Sequence, residues 1–233
     1  MASVARDQRR RAVLSRLASV YAGATTALRY RNDFELLIAV ILSAQCTDAR
    51  VNLVTPALFR AYPNAAALAR PEPKDVEPYI KTCGLYRSKA KNIVAASRKI
   101  AELGGRIPDT MEDLLELPGV GRKTANVVLA VAYERDAIAV DTHVFRVANR
   151  LRLVRAKTPE KAEHQLMKVV PRAQWSQAHH WLIHHGREIC HARIPECPRC
   201  PLLDLCPSAK YFLRARAQRA SRAPKAKVRR PPP

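Results

Sequence analysis

Apolar residues recur along this chain at intervals of three and four, the spacing that gathers them on one face of a helix. Val13, Leu14, Leu17 and Val20 mark a first helix over Arg11–Tyr21. Phe34, Leu37, Ile38 and Ile41 mark a second, opened by a capping box in which Asn32 stands three residues before Glu35. A further box, Asp109 with Glu112, opens a short segment from Met111 to Leu117. Thr158 followed by Pro159 places an N-cap before a proline at the first helical position. Breaks fall at Pro71–Pro73, Gly104–Gly105, Pro118–Gly121 and Pro171. Strand-like alternation is confined to the run Ala137–Val140. The pattern predicts an all-α chain of roughly nine or ten helices joined by short loops. Beyond Ala209 the periodicity fades into Arg, Lys, Ala and Pro, and residues 214–233 are predicted to be a disordered basic tail.

Charge changes the picture from fold to partner. The chain carries 41 Lys and Arg against 20 Asp and Glu, a formal +21. Eight of those basic residues lie between Arg214 and Arg230, so the remainder still holds +13 (21 − 8). A globular part this basic favours a polyanion, with nucleic acid ahead of a ribosome or an anionic membrane surface. No run of about 18 uncharged apolar residues is present, which argues against a membrane span. The N-terminus has no apolar core followed by a small-residue cleavage site, so the expected setting is the cytoplasm, in association with DNA.

Six cysteines follow from that setting. Cys46 and Cys83 sit in apolar segments, whereas Cys190, Cys197, Cys200 and Cys206 crowd into 17 residues. Reduced thiols gathered so densely suggest a metal site rather than disulfides. Four cysteines can hold zinc or a [4Fe–4S] cube. Zinc more often takes two close pairs, and only Cys197 and Cys200 form one here. The histidines at 179, 180, 184 and 185 have a spacing compatible with a metal, but read as mainly structural beside the cysteine site.

Two further stretches carry candidate chemistry. In Leu117-Pro118-Gly119-Val120-Gly121-Arg122-Lys123 a short helix stops, a Gly-Val-Gly turn follows, and a new helix starts near Arg122. The glycines permit unusual dihedrals and close approach, and the helix start offers free N–H groups to a phosphate. Val120 is expected to plug the turn onto the core. In Ala137-Ile138-Ala139-Val140-Asp141-Thr142-His143 a buried run feeds a helix start, where Asp141 is an N-cap by default.

Taken together, the hairpin with its lysine, the Val-Asp-Thr-His segment and the Cys-x6-Cys-x2-Cys-x5-Cys spacing resemble the endonuclease III family of helix–hairpin–helix DNA glycosylases, over roughly residues 11–209. The resemblance implies two helical lobes with DNA bound across their cleft: residues 1–27 with 138–213 in one, and 28–137 in the other, with the hairpin at about 110–132. It implies Lys123 as nucleophile, Asp141 as the carboxylate that stabilises charge on the sugar or relays a proton, and a [4Fe–4S] cluster on the four cysteines. An amine attacks only when neutral, so the Lys123 pKa has to fall well below the ~10.4 of a free lysine. Arg122, the helix start and partial desolvation are expected to push it down.

DNA contacts are expected from the hairpin residues Gly119, Val120, Gly121 and Arg122, from Thr142 and His143, and from Arg187, Arg193 and Arg199 around the cysteines. Gln45 and Leu85 resemble the residues that fill the gap left by an extruded nucleotide and wedge into the stack. The expected substrate is duplex DNA with an oxidised pyrimidine or an abasic site, handled by a monomer. A monofunctional adenine or mismatch glycosylase is the rival enzyme, disfavoured by Lys123. The non-enzymatic rival is a DNA-binding relative that has lost activity.

Overall fold

The structure is a computed structural model and describes residues 2–222. Among these, helices follow one another with no strand. They are α1 (Ala2–Val20), α2 (Asp33–Leu42), α3 (Asp48–Ala61), α4 (Ala65–Ala69), α5 (Pro73–Ile80), α6 (Tyr86–Glu102), α7 (Met111–Leu115), α8 (Arg122–Ala132), α9 (Thr142–Arg150), α10 (Pro159–Val169), α11 (Trp175–Glu188) and α12 (Ala209–Arg222). Single 3₁₀ turns lie before α11 and within the cysteine loop.

The caps show why these segments start where they do. Asn32, Thr47, Asn64, Asp141 and Thr158 each accept a backbone N–H of the first turn through a side-chain oxygen. Each such cap contributes about 0.5–2 kcal/mol. Two expectations need correction. The cap of α7 is Thr110, which accepts from Asp113 N, and Asp109 is instead ion-paired with Arg135. The Asn32 box is half formed, because the Glu35 carboxylate turns to the Arg31 backbone at 2.8 Å and to the Arg31 guanidinium at 2.6 Å. The Ala137–Val140 run forms no strand; it is buried extended chain.

Helix α2 is apolar all round, and Phe34 to Leu42 are buried without interruption. A helix without a polar face belongs inside a core rather than on its edge. It anchors the first of two hydrophobic clusters, which gathers residues from Leu28 to Ala137 across α2–α8. The second cluster takes Val13, Leu14 and Leu17 from α1 and Tyr21 just after it, and then runs from Ile138 to Leu202. The chain thus leaves the second cluster after α1, builds the first, and returns through the buried segment Ala137–Val140. Two arginines bolt α1 to the distant end of the chain. Arg9 donates to the carbonyls of Leu151 (2.8 Å) and Leu205 (3.1 Å), and Arg16 pairs with Asp204 at 2.5 Å.

The last helix departs from the sequence expectation. Disorder was expected from residue 214, but α12 continues to Arg222. Alanines and arginines are strong helix formers without any apolar periodicity, so propensity extends a helix that pattern alone does not reveal. The rest of the expected tail, 223–233, lies outside the described residues.

Candidate active site between two helical cores

Lys123 and Asp141 stand on different clusters and meet on one cavity. Thr26, Ser43, Asp48, His179, His184 and Arg187 share its wall with them. Lys123 is in the first turn of α8, fixed by the hairpin before it. Val120 is 7 % exposed and packs into the first cluster, as expected of a plug. Gly119 has φ +81, a left-handed conformation, and a Cβ there would lie 2.8 Å from Asn92 Cβ. Gly121 does not need that freedom: its φ is −98 and no atom lies within 4 Å of a built Cβ. The missing side chain at Gly121 leaves the N–H groups at the start of α8 uncovered.

Asp141 caps α9, with one carboxylate oxygen accepting from Val144 N at 2.7 Å. That bond fixes the carboxylate without using both oxygens. Beneath it, His179 is fully buried, and its Nδ1 donates to the Ala139 carbonyl at 2.7 Å. Burial lowers the His179 pKa, opposed by that hydrogen bond and by Asp141. His180 stacks edge-on against it at 4.8 Å between ring centroids, and burial lowers its pKa to about 3. Two neutral imidazoles therefore form part of the floor, consistent with a structural role.

The surroundings of Lys123 differ from expectation in one respect. Its side chain is exposed, and its neighbour Arg122 is not a free cation. Arg122 forks onto the Glu163 carboxylate at 2.7, 3.1 and 3.2 Å, and Glu163 is buried. A bidentate pair of this kind ties α8 to α10, one cluster to the other. The guanidinium next to Lys123 is thus held by Glu163, and the lysine side chain faces solvent.

Gln45 and Leu85, expected at the opened duplex, share an uncommon backbone. Both have positive φ (51 and 58), and both are exposed, Leu85 to 60 %. A non-glycine residue in the left-handed region is strained, and a leucine that exposed has lost the usual reason to be apolar. Their loops touch, since a Cβ on Gly84 would lie 3.2 Å from the Gln45 carbonyl.

Other expected DNA contacts are placed as follows. Thr142 is exposed at the start of α9. His143 is not on the cavity wall; it packs on Gly186, where a Cβ would meet His143 Cβ at 2.9 Å, and on Arg146 at 3.1 Å. Burial lowers its pKa, with Asp141 acting in the opposite direction. Arg187 pairs with Asp48 at 2.9 Å, and both line the cavity. Arg193 is exposed, and Arg199 is paired with Glu196. Asp48, Glu163 and Gly186 carry no local signal, since each acts through a partner distant along the chain: Arg187, Arg122 and His143.

Cys190, Cys197, Cys200 and Cys206 converge on one cavity together with Arg150, His185 and Phe212. Sulfurs here receive N–H donors: Arg150 to Cys190 Sγ at 3.4 Å and Leu202 N to Cys200 Sγ at 3.4 Å. Such donors suit sulfurs that carry negative charge, as metal-bound thiolates do. Arg150 also donates to the His191 (2.7 Å) and Ala192 (2.6 Å) carbonyls and lies over the Phe212 ring, so it braces the whole loop.

The arrangement defines a helical protein with a lysine and a carboxylate facing one cleft behind a glycine hairpin, the equipment of a DNA-repair enzyme. Residues 38–172 match the model of the HhH-GPD superfamily of base excision DNA repair proteins, and the chain belongs to that superfamily. It is 50% identical over 207 residues to an Endonuclease III of Synechocystis sp., spanning 88% of this chain and 94% of that one. The Endonuclease III of Escherichia coli K12 is 48% identical over 195 residues, 83% of this chain and 92% of that protein. Among solved structures it is similar to a trapped Endonuclease III–DNA covalent intermediate, with a TM-score of 0.85, 45% identity, and coverage of 89% of this chain and 98% of that one. No helix among the described residues is long and apolar enough to cross a membrane.

Proposed function

We propose that this protein is a base-excision repair enzyme that removes damaged bases from DNA and cleaves the resulting abasic site. The observation that carries the reading is the convergence of Lys123 and Asp141, held by separate cores, on one cavity. Kinship with proteins named Endonuclease III at about half identity supports the same class.

The chemistry follows from the two side chains. The Lys123 amine attacks the sugar C1′ and the damaged base leaves with its bonding electrons. Asp141, facing the same cavity, stabilises positive charge on the sugar and relays the proton released by the amine. The nitrogen lone pair then expels the ring oxygen O4′, which takes that proton, so the C1′–O4′ bond opens and the resulting iminium joins Lys123 to C1′ and acidifies the C2′ proton. Loss of that proton expels the 3′ phosphate by β-elimination, and water then releases the lysine.

The cavity has a volume of about 70 Å³. Pockets that take small molecules begin near ~300 Å³. A nucleotide needs more room than this, and the Arg187–Asp48 pair, partly solvated and on the cavity wall, is the link that parts at the smaller cost. Gln45 and Leu85 are assigned to the vacated stack, and the uncovered N–H groups at Gly121 and the start of α8 to a phosphate. Oxidised pyrimidines are the substrate class this reading favours, and the cytoplasm its setting.

Cys190, Cys197, Cys200 and Cys206 would hold a [4Fe–4S] cluster, which when bound supplies a staple for the loop between α11 and α12. The donor set fits: four sulfurs on one cavity wall, with N–H groups aimed at two of them.

Borohydride trapping on duplexes bearing thymine glycol or an abasic site tests the reading. Adducts with both are expected, and Lys123→Gln should abolish them while leaving binding intact. An adduct that survives that substitution would remove Lys123 from the mechanism.

A further inference from the structure

The two thiols outside the cluster lie where the expected DNA-inserting loops touch. Cys46 follows Gln45, and Cys83 precedes Gly84 and Leu85. Cys83 is 1 % exposed and part of the first core, while Cys46 is half-buried and packs against that core. The segments that carry them are in contact, since a Cβ on Gly84 would lie 3.2 Å from the Gln45 carbonyl. Beside them is a feature the mechanism does not use: Lys89, 4 % exposed, whose Nζ has no hydrogen-bond partner among the described residues. From that buried position Lys89 acts on the Cys83 thiol, pulling its pKa down.

We propose that Cys46 and Cys83 form a reversible oxidation site, in which a peroxide-class oxidant joins the Gln45 loop to the Leu85 loop through a disulfide. Cys46 is the accessible partner. Its thiolate attacks one oxygen of the peroxide, the O–O bond breaks, and the other oxygen leaves as water after taking a proton. Cys46 is then a sulfenic acid. The Cys83 sulfur attacks it, the S–O bond breaks, and a second water departs with the Cys83 proton. Two thiols and one peroxide thus give one disulfide and two waters. Burial and the Cys46 sulfur hold the Cys83 thiol up at about 11, while Lys89 and Arg50 pull it down. Cys83, the less accessible of the two, is therefore the resolving thiol, with Lys89 opposing the burial that holds it protonated.

Closing the bond brings the sulfurs to about 2.05 Å and fixes the spacing between the loops. Gln45 and Leu85 are then tethered at the point where they enter the duplex. A displacement near 1 Å in such a positioning element costs up to about 10²-fold in rate. The bond itself stands on the contact between the two loops and the core that both thiols share; only its effect on DNA rests on the repair reading.

The test uses the full-length protein with its cluster, exposed to hydrogen peroxide or to a small-molecule disulfide. Thiols are capped, the protein is digested, and linked peptides are mapped by mass, with visible absorption following the cluster in parallel. A Cys46–Cys83 cross-link that disappears with dithiothreitol is expected. Trapping on an abasic duplex should fall by roughly tenfold or more and return on reduction. Cys46→Ala and, separately, Cys83→Ala should keep full trapping after the same treatment. Absence of the cross-link at doses that spare the cluster overturns the proposal, as does a cross-link that leaves trapping unchanged. Failure of the reduced protein to trap abasic DNA would instead overturn the repair reading, with the cross-link still read by mass.

Discussion

Gly119 and Gly121 flank one valine, yet the structure assigns them different jobs, and an alanine at each separates the two. Gly119 has φ +81, which costs an alanine about 1–2 kcal/mol. The added Cβ also meets Asn92 Cβ at 2.8 Å and Nδ2 at 2.9 Å. The first of those atoms is the rigid root of the side chain, so relief requires α6 or the hairpin to shift, at about 1–3 kcal/mol. The total for Gly119→Ala is roughly 2–5 kcal/mol. For a chain of this size that corresponds to about 5–15 °C in the unfolding midpoint. Gly121→Ala meets no atom within 4 Å, and its φ of −98 suits any residue. Its stability should change by no more than ~0.5 kcal/mol. Its methyl group, however, stands where a phosphate would approach the start of α8, so DNA affinity should fall. Thermal unfolding and abasic-duplex titration of both variants read the two effects separately. Equal loss of stability in the two variants would refute the argument from backbone geometry. Unchanged affinity in Gly121→Ala would remove the phosphate from the α8 start.

Glu163→Ala should destabilise the protein by about 1–3 kcal/mol, below the cost of breaking a fully buried pair because Arg122 is 41 % exposed on its side. It should also slow trapping by loosening α8 against α10; a loss of stability with full trapping would show the pair only holds the fold. His180 gives a pH dependence whose sign is fixed by its burial. Its pKa drops from about 6.5 unfolded to about 3 folded, so the neutral ring's contribution is complete above pH 6.5 and is lost as pH falls toward 3. Denaturation of wild type and His180→Gln across that window should diverge by at most ~1.4 kcal/mol per pH unit, and parallel curves would place the acid sensitivity elsewhere.

What the sequence shows well is what depends on neighbours along the chain. The stop at Pro118, the turn, the α8 start at Arg122 and the caps at Asn32, Asp141 and Thr158 are local events, encoded within a few residues. The cysteine cluster is legible for the same reason, its four members lying within one loop. Where the local reading slipped, two signals competed. Thr110 and Asp109 are both good caps, and Asp109 was claimed by Arg135, 26 residues away. Helix α12 ran past the expected boundary because a basic, alanine-rich segment has helix propensity without periodicity.

The catalytic cavity itself is a non-local object, and its less visible half consists of side chains that matter only through a partner on the other core. Arg122 looked like a phosphate ligand until Glu163, 41 residues on, took it. Arg187 looked like a second until Asp48, 139 residues earlier, did the same. Both pairs join the cluster that carries Lys123 to the cluster that carries Asp141. Neither the lysine nor the carboxylate is placed by its own segment alone; their separation is set by these links and by the buried crossing at Ala137–Val140. The two ion pairs differ in the consequence of breaking them. Glu163 is buried, so opening its pair strands a charge, whereas Asp48 and Arg187 are partly solvated and can part at small cost. Of the two links, the Asp48 pair is therefore the one that parts at the smaller cost, and the Glu163 pair is the one that keeps the α8 start fixed against α10.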